Sequence, residues 1–152
     1  MQDKTIVLSD SIGVAERDAF IALCSITGSE DGVNAFLLDT PQRANSWAFS
    51  FTGTPQNVPS FIKKPAKTIP FTARARGIFT DRRQMWNWVG LLVEGLEIRQ
   101  CASNSPLEFM RINSIGAVNE SFMTFPNETI SKFCYTIDLS FQVIVRMVVK
   151  NA

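Results

Sequence analysis

The side chains able to do chemistry in this 152-residue sequence are three cysteines, fourteen carboxylates and fifteen lysines and arginines, and there is no histidine. Without imidazole the commonest general base, the Ser-His and Cys-His nucleophile pairs and the commonest zinc ligand are all missing. Cys24, Cys101 and Cys134 lie far apart with no C-x-x-C spacing. They are expected to be buried, reduced thiols of a protein made in a reducing compartment, not a disulfide framework or a metal site. No phosphate-cradling glycine loop, dinucleotide fingerprint, nucleophile elbow or zinc-protease helix occurs. Glu94 and Glu97, three apart, fit a solvated helix end, and the other carboxylates are scattered. The expectation is a structural or binding protein with no catalytic residues, no cofactor and no metal.

What remains is charge placement. The chain is nearly neutral at +1, yet its signs are segregated. Residues 1–39 carry Asp3, Asp10, Glu16, Asp18, Glu30, Asp31 and Asp39 against Lys4 and Arg17. Residues 43–83 carry Arg43, Lys63, Lys64, Lys67, Arg74, Arg76, Arg82 and Arg83 against Asp81 alone. One use of such a pattern is a head-to-tail contact between copies, in which Lys63, Lys64, Lys67, Arg74 and Arg76 of one subunit meet an acidic patch on the next. Glu30 and Asp31 are the first acidic candidates. Heterologous contacts of that kind close into rings. A second reading is an ordinary mixed surface whose segments neutralise one another within the fold, and a third is nucleic-acid binding by the same basic residues. Against it, Trp47, Phe49 and Phe51 read as core, which leaves few exposed rings for base stacking.

The elements that must position these charges follow from periodicity. Thr5, Ile6, Val7 and Leu8 suggest a short strand or an ordered arm. A helix is expected after Ser11, with Ile12, Ala15, Ala19, Leu23 and Ile26 on one face and Gly28 as its stop. Residues 33–38 form a short strand candidate. Over 46–52 the residues Trp47, Phe49 and Phe51 alternate with Ser46, Ala48, Ser50 and Thr52, the pattern of a half-buried strand. Residues 53–70 lose all pattern. Pro55, Pro59, Pro65 and Pro70 exclude a regular element there, so a long loop is expected. Alternation resumes over 71–77, with Arg74 and Arg76 facing away from Phe71, Ala73 and Ala75.

The strongest helix pattern covers 81–96. Thr80 suits its N-cap, with Asp81 just inside, and Met85, Trp86, Val89, Leu92, Val93 and Leu96 form one apolar stripe. Trp88 and Leu91 lie beside that stripe, so burial on more than one side is expected. Residues 107–112 and 121–125 are strand candidates. Residues 133–149 then alternate without a Gly or Pro, so either one very long strand crosses the domain or a bulge near 138–140 turns a corner. Trp47, Phe51, Trp86, Val89, Phe141 and Val143 are the expected core. The fold class is α+β: a single domain over 1–152, with two helices packed on a mostly antiparallel sheet. The N-terminus lacks the pattern of a secretory signal, and no apolar run approaches the roughly 18 residues a membrane span needs.

In this order of elements the chain resembles the tail terminator, or neck terminator, proteins of tailed bacteriophages. The likeness lies in the helix through 15–23, the strand 47–51, the loop 53–70, the helix 81–96 and the closing strand 133–149. It covers nearly the whole chain as a layout, without a signature motif. The resemblance implies a virion structural protein, made in the host cytoplasm and placed in the tail or neck. It implies a homohexameric ring that caps the tail tube, stops its growth and joins it to the head connector, with DNA passing through the lumen and no membrane partner. The long closing strand equally suits a tail tube protein, a ring former built on a β-sandwich.

Overall fold

A computed structural model describes residues 4–6, 8–53, 68–98, 105–146 and 149–151. Along the chain they form β1 (Lys4–Ile6), α1 (Leu8–Thr27), β2 (Ala35–Phe36), β3 (Ser46–Gly53), β4 (Thr68–Phe79), α2 (Arg82–Ile98), β5 (Leu107–Ile115), β6 (Asn119–Met123), β7 (Lys132–Arg146) and β8 (Val149–Asn151). The main sheet has β2, β3, β4 and β7 side by side, and β5 and β6 share the outer edge of β7. Every pairing in it is antiparallel except the short parallel contact of β2 with β3. β1 and β8 form a separate antiparallel pair. This is the α+β architecture expected from the sequence.

β7 is the axis of the sheet. Its fifteen residues run unbroken, and all of β4 pairs with it, from Thr68 opposite Arg146 to Phe79 opposite Tyr135. One long strand therefore replaces the alternative of a corner near 138–140, but it ends at Arg146, short of the expected 149, and Val149 opens β8 in the other sheet. The bulges fall on β5 instead, between Leu107 and Phe109 and between Ile112 and Ser114. An extra residue there takes up the twist that the long strand imposes on its neighbour. β4 begins earlier than the sequence suggests, so Thr68, Ile69 and Pro70 are strand and not loop. β3 ends at Gly53 opposite Thr72, so Pro70 has a strand neighbour on the β7 side only, and its missing N–H breaks no bond to β3. The rest of the expected loop, 54–67, lies outside the described residues, and Lys63, Lys64 and Lys67 with it.

Both helices lie on one face of the sheet. α1 starts at Leu8, ahead of the expected boundary, and buries Ala15, Ala19, Phe20 and Leu23. It stops at Gly28, whose φ of 66° lets the Ser29 N–H reach back to the Cys24 carbonyl at 2.9 Å. The Glu16 carboxylate on α1 accepts the Phe51 N–H at 2.8 Å and so ties the helix to β3. α2 is capped by Asp81, not by Thr80: the Asp81 carboxylate accepts the Arg83 N–H at 2.9 Å. Thr80 instead donates its N–H and hydroxyl to the Asn45 side-chain oxygen. The two helices meet where Gly95 leaves room for Ile26; a methyl at Gly95 would collide with it.

The core under the helices holds Trp47, Phe49, Phe141, Ile137, Leu139, Val143 and Val145 from the strands and Phe20, Leu23, Met85, Trp88, Val89 and Leu92 from the helices. Each large side chain buried there gives about 1.5–3 kcal/mol. Phe51 is only half-buried, short of the expectation. The stripe on α2 is rotated from the expected one. Trp88 is 5% exposed and Trp86 is 46% exposed, while Leu91 and Val93 also face outward. The helix is thus buried on one side only. Trp88 turns inward because Gly77 on β4 leaves space for its ring: a Cβ on Gly77 would stand 2.8 Å from the indole. There the indole meets Trp47 and Phe79 at ring distances of 6.0 and 5.6 Å.

β3 also departs from the half-buried pattern, since Ser46 to Ser50 are buried on both faces. The 39–45 segment meets its second face, where Ser46 donates to the Arg43 carbonyl and Ser50 to the Asp39 carboxylate; on the same helix-free side Ile78, Phe125 and Cys134 pack with Ala44 and Met123 in a second small core. Phe125 lies in the turn after β6, not in a strand. The strand expected over 33–38 shrinks to Ala35 and Phe36.

Candidate functional site

The helix-free face of the sheet carries the arginines singled out from the sequence. Arg74 and Arg76 alternate with buried Phe71, Ala73 and Ala75, so β4 turns both away from the helices as expected. Arg76 stands opposite Asp138 on β7 and grips it with two bonds of 2.8 and 3.0 Å. That pairing holds the guanidinium still more firmly protonated than usual. Arg74 donates to the Asp39 carbonyl at 3.2 Å, beside the Ser50 hydroxyl that donates to the Asp39 carboxylate at 2.8 Å. Arg111 donates to the Gln142 side chain at 2.8 Å in the next row. This face is a ladder of polar side chains satisfied within one subunit.

Glu30 and Asp31 are not part of that ladder. They sit exposed in the turn between α1 and β2, at the β2 edge of the sheet, while Arg74 and Arg76 lie two strands inward on β4. Asn34 accepts the Glu30 N–H at 2.7 Å through its side chain, which shapes the turn and leaves both carboxylates outward. The Asp31 charge is felt by Cys24, whose thiol is pushed up to about 11, first by burial and then by Asp31. Exposed Val33 and Leu38 follow the acidic pair, one before β2 and one after it.

The opposite edge holds what the sequence reading did not single out. Where β6 pairs with the start of β7, Phe122 faces Phe133 across the two strands, and neither is covered by a helix. Phe122 is 73% exposed and Ile130, in the following turn, 74%. The rings continue inward: Phe122 to Phe133 at 5.3 Å, Phe133 to Tyr135 at 5.4 Å, and the Arg82 guanidinium over Tyr135 at 5.8 Å. Trp86 lies one helical turn beyond Arg82 on the same flank of α2. The alternation of 133–149 carried part of this signal, since it placed Phe133 and Tyr135 on one face. It could not tell that the helices stop short of them.

A third node fastens the chain after α2. Ser105 donates to the Asp18 carboxylate at 2.6 Å and accepts the Leu107 N–H, while Arg146 donates to the Ser105 carbonyl at 2.8 Å. It joins α1, the entry to β5 and the end of β7, and its position among buried residues gives it a structural role. Among the described residues no cluster of three His, Cys, Asp or Glu side chains could hold a metal ion, and no helix is long and apolar enough to cross a membrane. Comparison with protein-family models and with curated protein sequences gave no match.

Proposed function

We propose that this chain is a ring-forming virion structural protein of the tail terminator kind, capping the tail tube and joining it to the head connector. One observation carries the reading: two opposite edges of one sheet each present large exposed apolar side chains, the most exposed of them at the β6 edge. Val33 and Leu38 stand at the β2 edge, and Phe122, Ile130 and Phe133 at the β6 edge. Exposed apolar patches of this kind mark contact surfaces. Two unlike patches pointing in opposite directions suit a heterologous, head-to-tail contact, which closes into a ring when the rotation per subunit permits. A main sheet with two helices packed on one face favours a terminator over a tail tube protein built as a sandwich of two sheets.

Nucleic-acid binding as the primary role has less support. Arg76 is neutralised by its own Asp138, and Arg74 and Arg111 have partners within the subunit. Negative-stain microscopy of the purified protein tests the proposal directly, with closed rings as the expected result. Addition of those rings to growing tail tubes should stop elongation at one end. A protein that stays monomeric at all concentrations, or rings that leave tube growth untouched, would overturn it.

A further inference from the structure

The two edges carry exposed charges without ion-pair partners among the described residues as well as apolar side chains, with Glu30 and Asp31 on one side, and Arg82, Arg83 and Glu120 on the other. At the β2 edge Glu30 and Asp31 are exposed and neither has an ion-pair partner among the described residues, while Arg43 lies over the Phe36 ring of β2. At the other side Arg82 and Arg83 open α2, exposed and likewise without a carboxylate partner among the described residues. Arg82 lies against Tyr135 and so holds its charge at the inner end of the strip that leads through Phe133 to Phe122. We infer that this strip is the seat for the 30–38 turn of a second copy of the chain. Arg82 and Arg83 meet Glu30 and Asp31 of the neighbour, and Phe122 and Trp86 cover its Val33 and Leu38.

The inference rests on the ring reading above and names its interface. It places the positive side of the contact at Arg82 and Arg83, because the charge of Arg76 is already met by Asp138. Contact through side chains, not by joining sheets edge to edge, agrees with the character of the two edges. β2 is two residues long, β6 has five residues and carries exposed Glu120, and β5 beside it is broken by two bulges. Short, bulged and charged edges resist strand addition.

A charge exchange tests it. Arg82→Glu with Arg83→Glu puts like charges on both sides of the contact, and Glu30→Arg with Asp31→Arg does the same from the other side. All four positions are exposed, and acidic residues in the first turn favour a helix, so both variants should keep the wild-type circular dichroism. In sedimentation velocity each should lose the ring, or need more than about tenfold higher concentration to form it. The chain carrying all four changes should assemble again. A neutral variant, Phe122→Thr, should weaken assembly without altering its dependence on salt. Wild-type assembly by both charge variants, or failure of the four-site chain to recover, would overturn this interface while leaving the ring reading intact. A wild-type protein that never assembles would instead remove the ring reading itself.

Discussion

The two halves of β7 share one alternating sequence and have opposite fates. From Ile137 to Val145 every second side chain lies under the helices and is fully buried. At the other end Phe133, on the same face, is 41% exposed, and its cross-strand partner Phe122 more so. The difference is not in the strand. It lies in the reach of α1 and α2, which cover the sheet as far as Trp88 and Phe79 and leave the β6–β7 hairpin projecting beyond them. Alternation reports which residues share a face; another element decides whether that face is dry. A strand longer than its cover leaves an apolar surface, and here that surface is the candidate contact.

The largest expected effect separates the two tryptophans of α2. Trp88→Ala should lose about 3–5 kcal/mol, because it empties a site lined by Trp47 and Phe79. Trp86→Ala should change stability by less than about 1 kcal/mol, as expected for a half-exposed surface position, and act on assembly instead. Chemical denaturation of the monomer checks both. Equal losses would mean that the helix is rotated from the position described. Trp88→Phe is a finer probe. It keeps the ring contact and removes an indole N–H that is buried without a partner among the described residues, so it should lose much less than the alanine variant.

Next comes the residue that lets Trp88 in. Gly77→Ala should destabilise by about 1–3 kcal/mol, since the new methyl meets the indole and the Phe79 ring. Gly90→Ala, on the exposed side of α2 with nothing near its Cβ, should stabilise by up to about 1 kcal/mol through helix propensity. Opposite signs in thermal melting of the two variants are the expected result. A neutral Gly77→Ala would show that Trp88 has room to retreat.

The strands, both helices, their order and the outward turn of Arg74 and Arg76 were legible because each depends on local period or on a local stop. Gly28 marked the end of α1 for a local reason, its positive φ. The orientation of α2 was not legible. Met85, Trp86, Val89 and Val93 satisfy a helical stripe as well as Met85, Trp88, Val89 and Leu92 do, and the choice was made by Gly77, which is remote in sequence. The double burial of β3 was hidden too, since the 39–45 segment that meets its second face through Ser46 and Ser50 carries no periodic pattern. Of the interface, Glu30 and Asp31 were visible as charges. Phe122, Phe133 and Tyr135 looked like any other strand residues, because exposure is a property of what fails to cover them.

A smaller effect tests the cap of α2, which also anchors the two arginines of the inferred contact. Asp81→Ala should cost about 1 kcal/mol, because the Arg83 N–H loses its acceptor at the positive end of the helix. Thr80→Ala should cost less. Its hydroxyl shares Asn45 with its own backbone N–H, which remains in the variant. If the order were reversed, the helix would begin one residue earlier than observed.

The smallest effect compares Cys24 and Cys134, one in each core, while Cys101 lies outside the described residues. Burial raises both thiols, Cys24 to about 11 with Asp31 adding to it, and Cys134 in the same direction. A thiol whose pKa is raised on folding binds its proton more tightly in the folded chain. Its contribution to stability is therefore complete below the ordinary value of 9.0 and is lost as pH climbs from there towards about 11. The melting temperature should fall over that interval, and Cys24→Ala should flatten part of the fall. Alkylation followed by peptide mapping then separates the two regions. Cys24 is partly accessible, whereas Cys134 is sealed under the turn that carries Phe125. Cys24 should react first, slowly near neutral pH and faster above pH 9, and Asp31→Asn should speed it by removing a charge that opposes the thiolate. Cys134 should react only when the turn after β6 lifts from the sheet. If Cys134 reacts first, that turn is open in the free subunit, and the projecting hairpin with Phe122 is not held in the form that the contact requires.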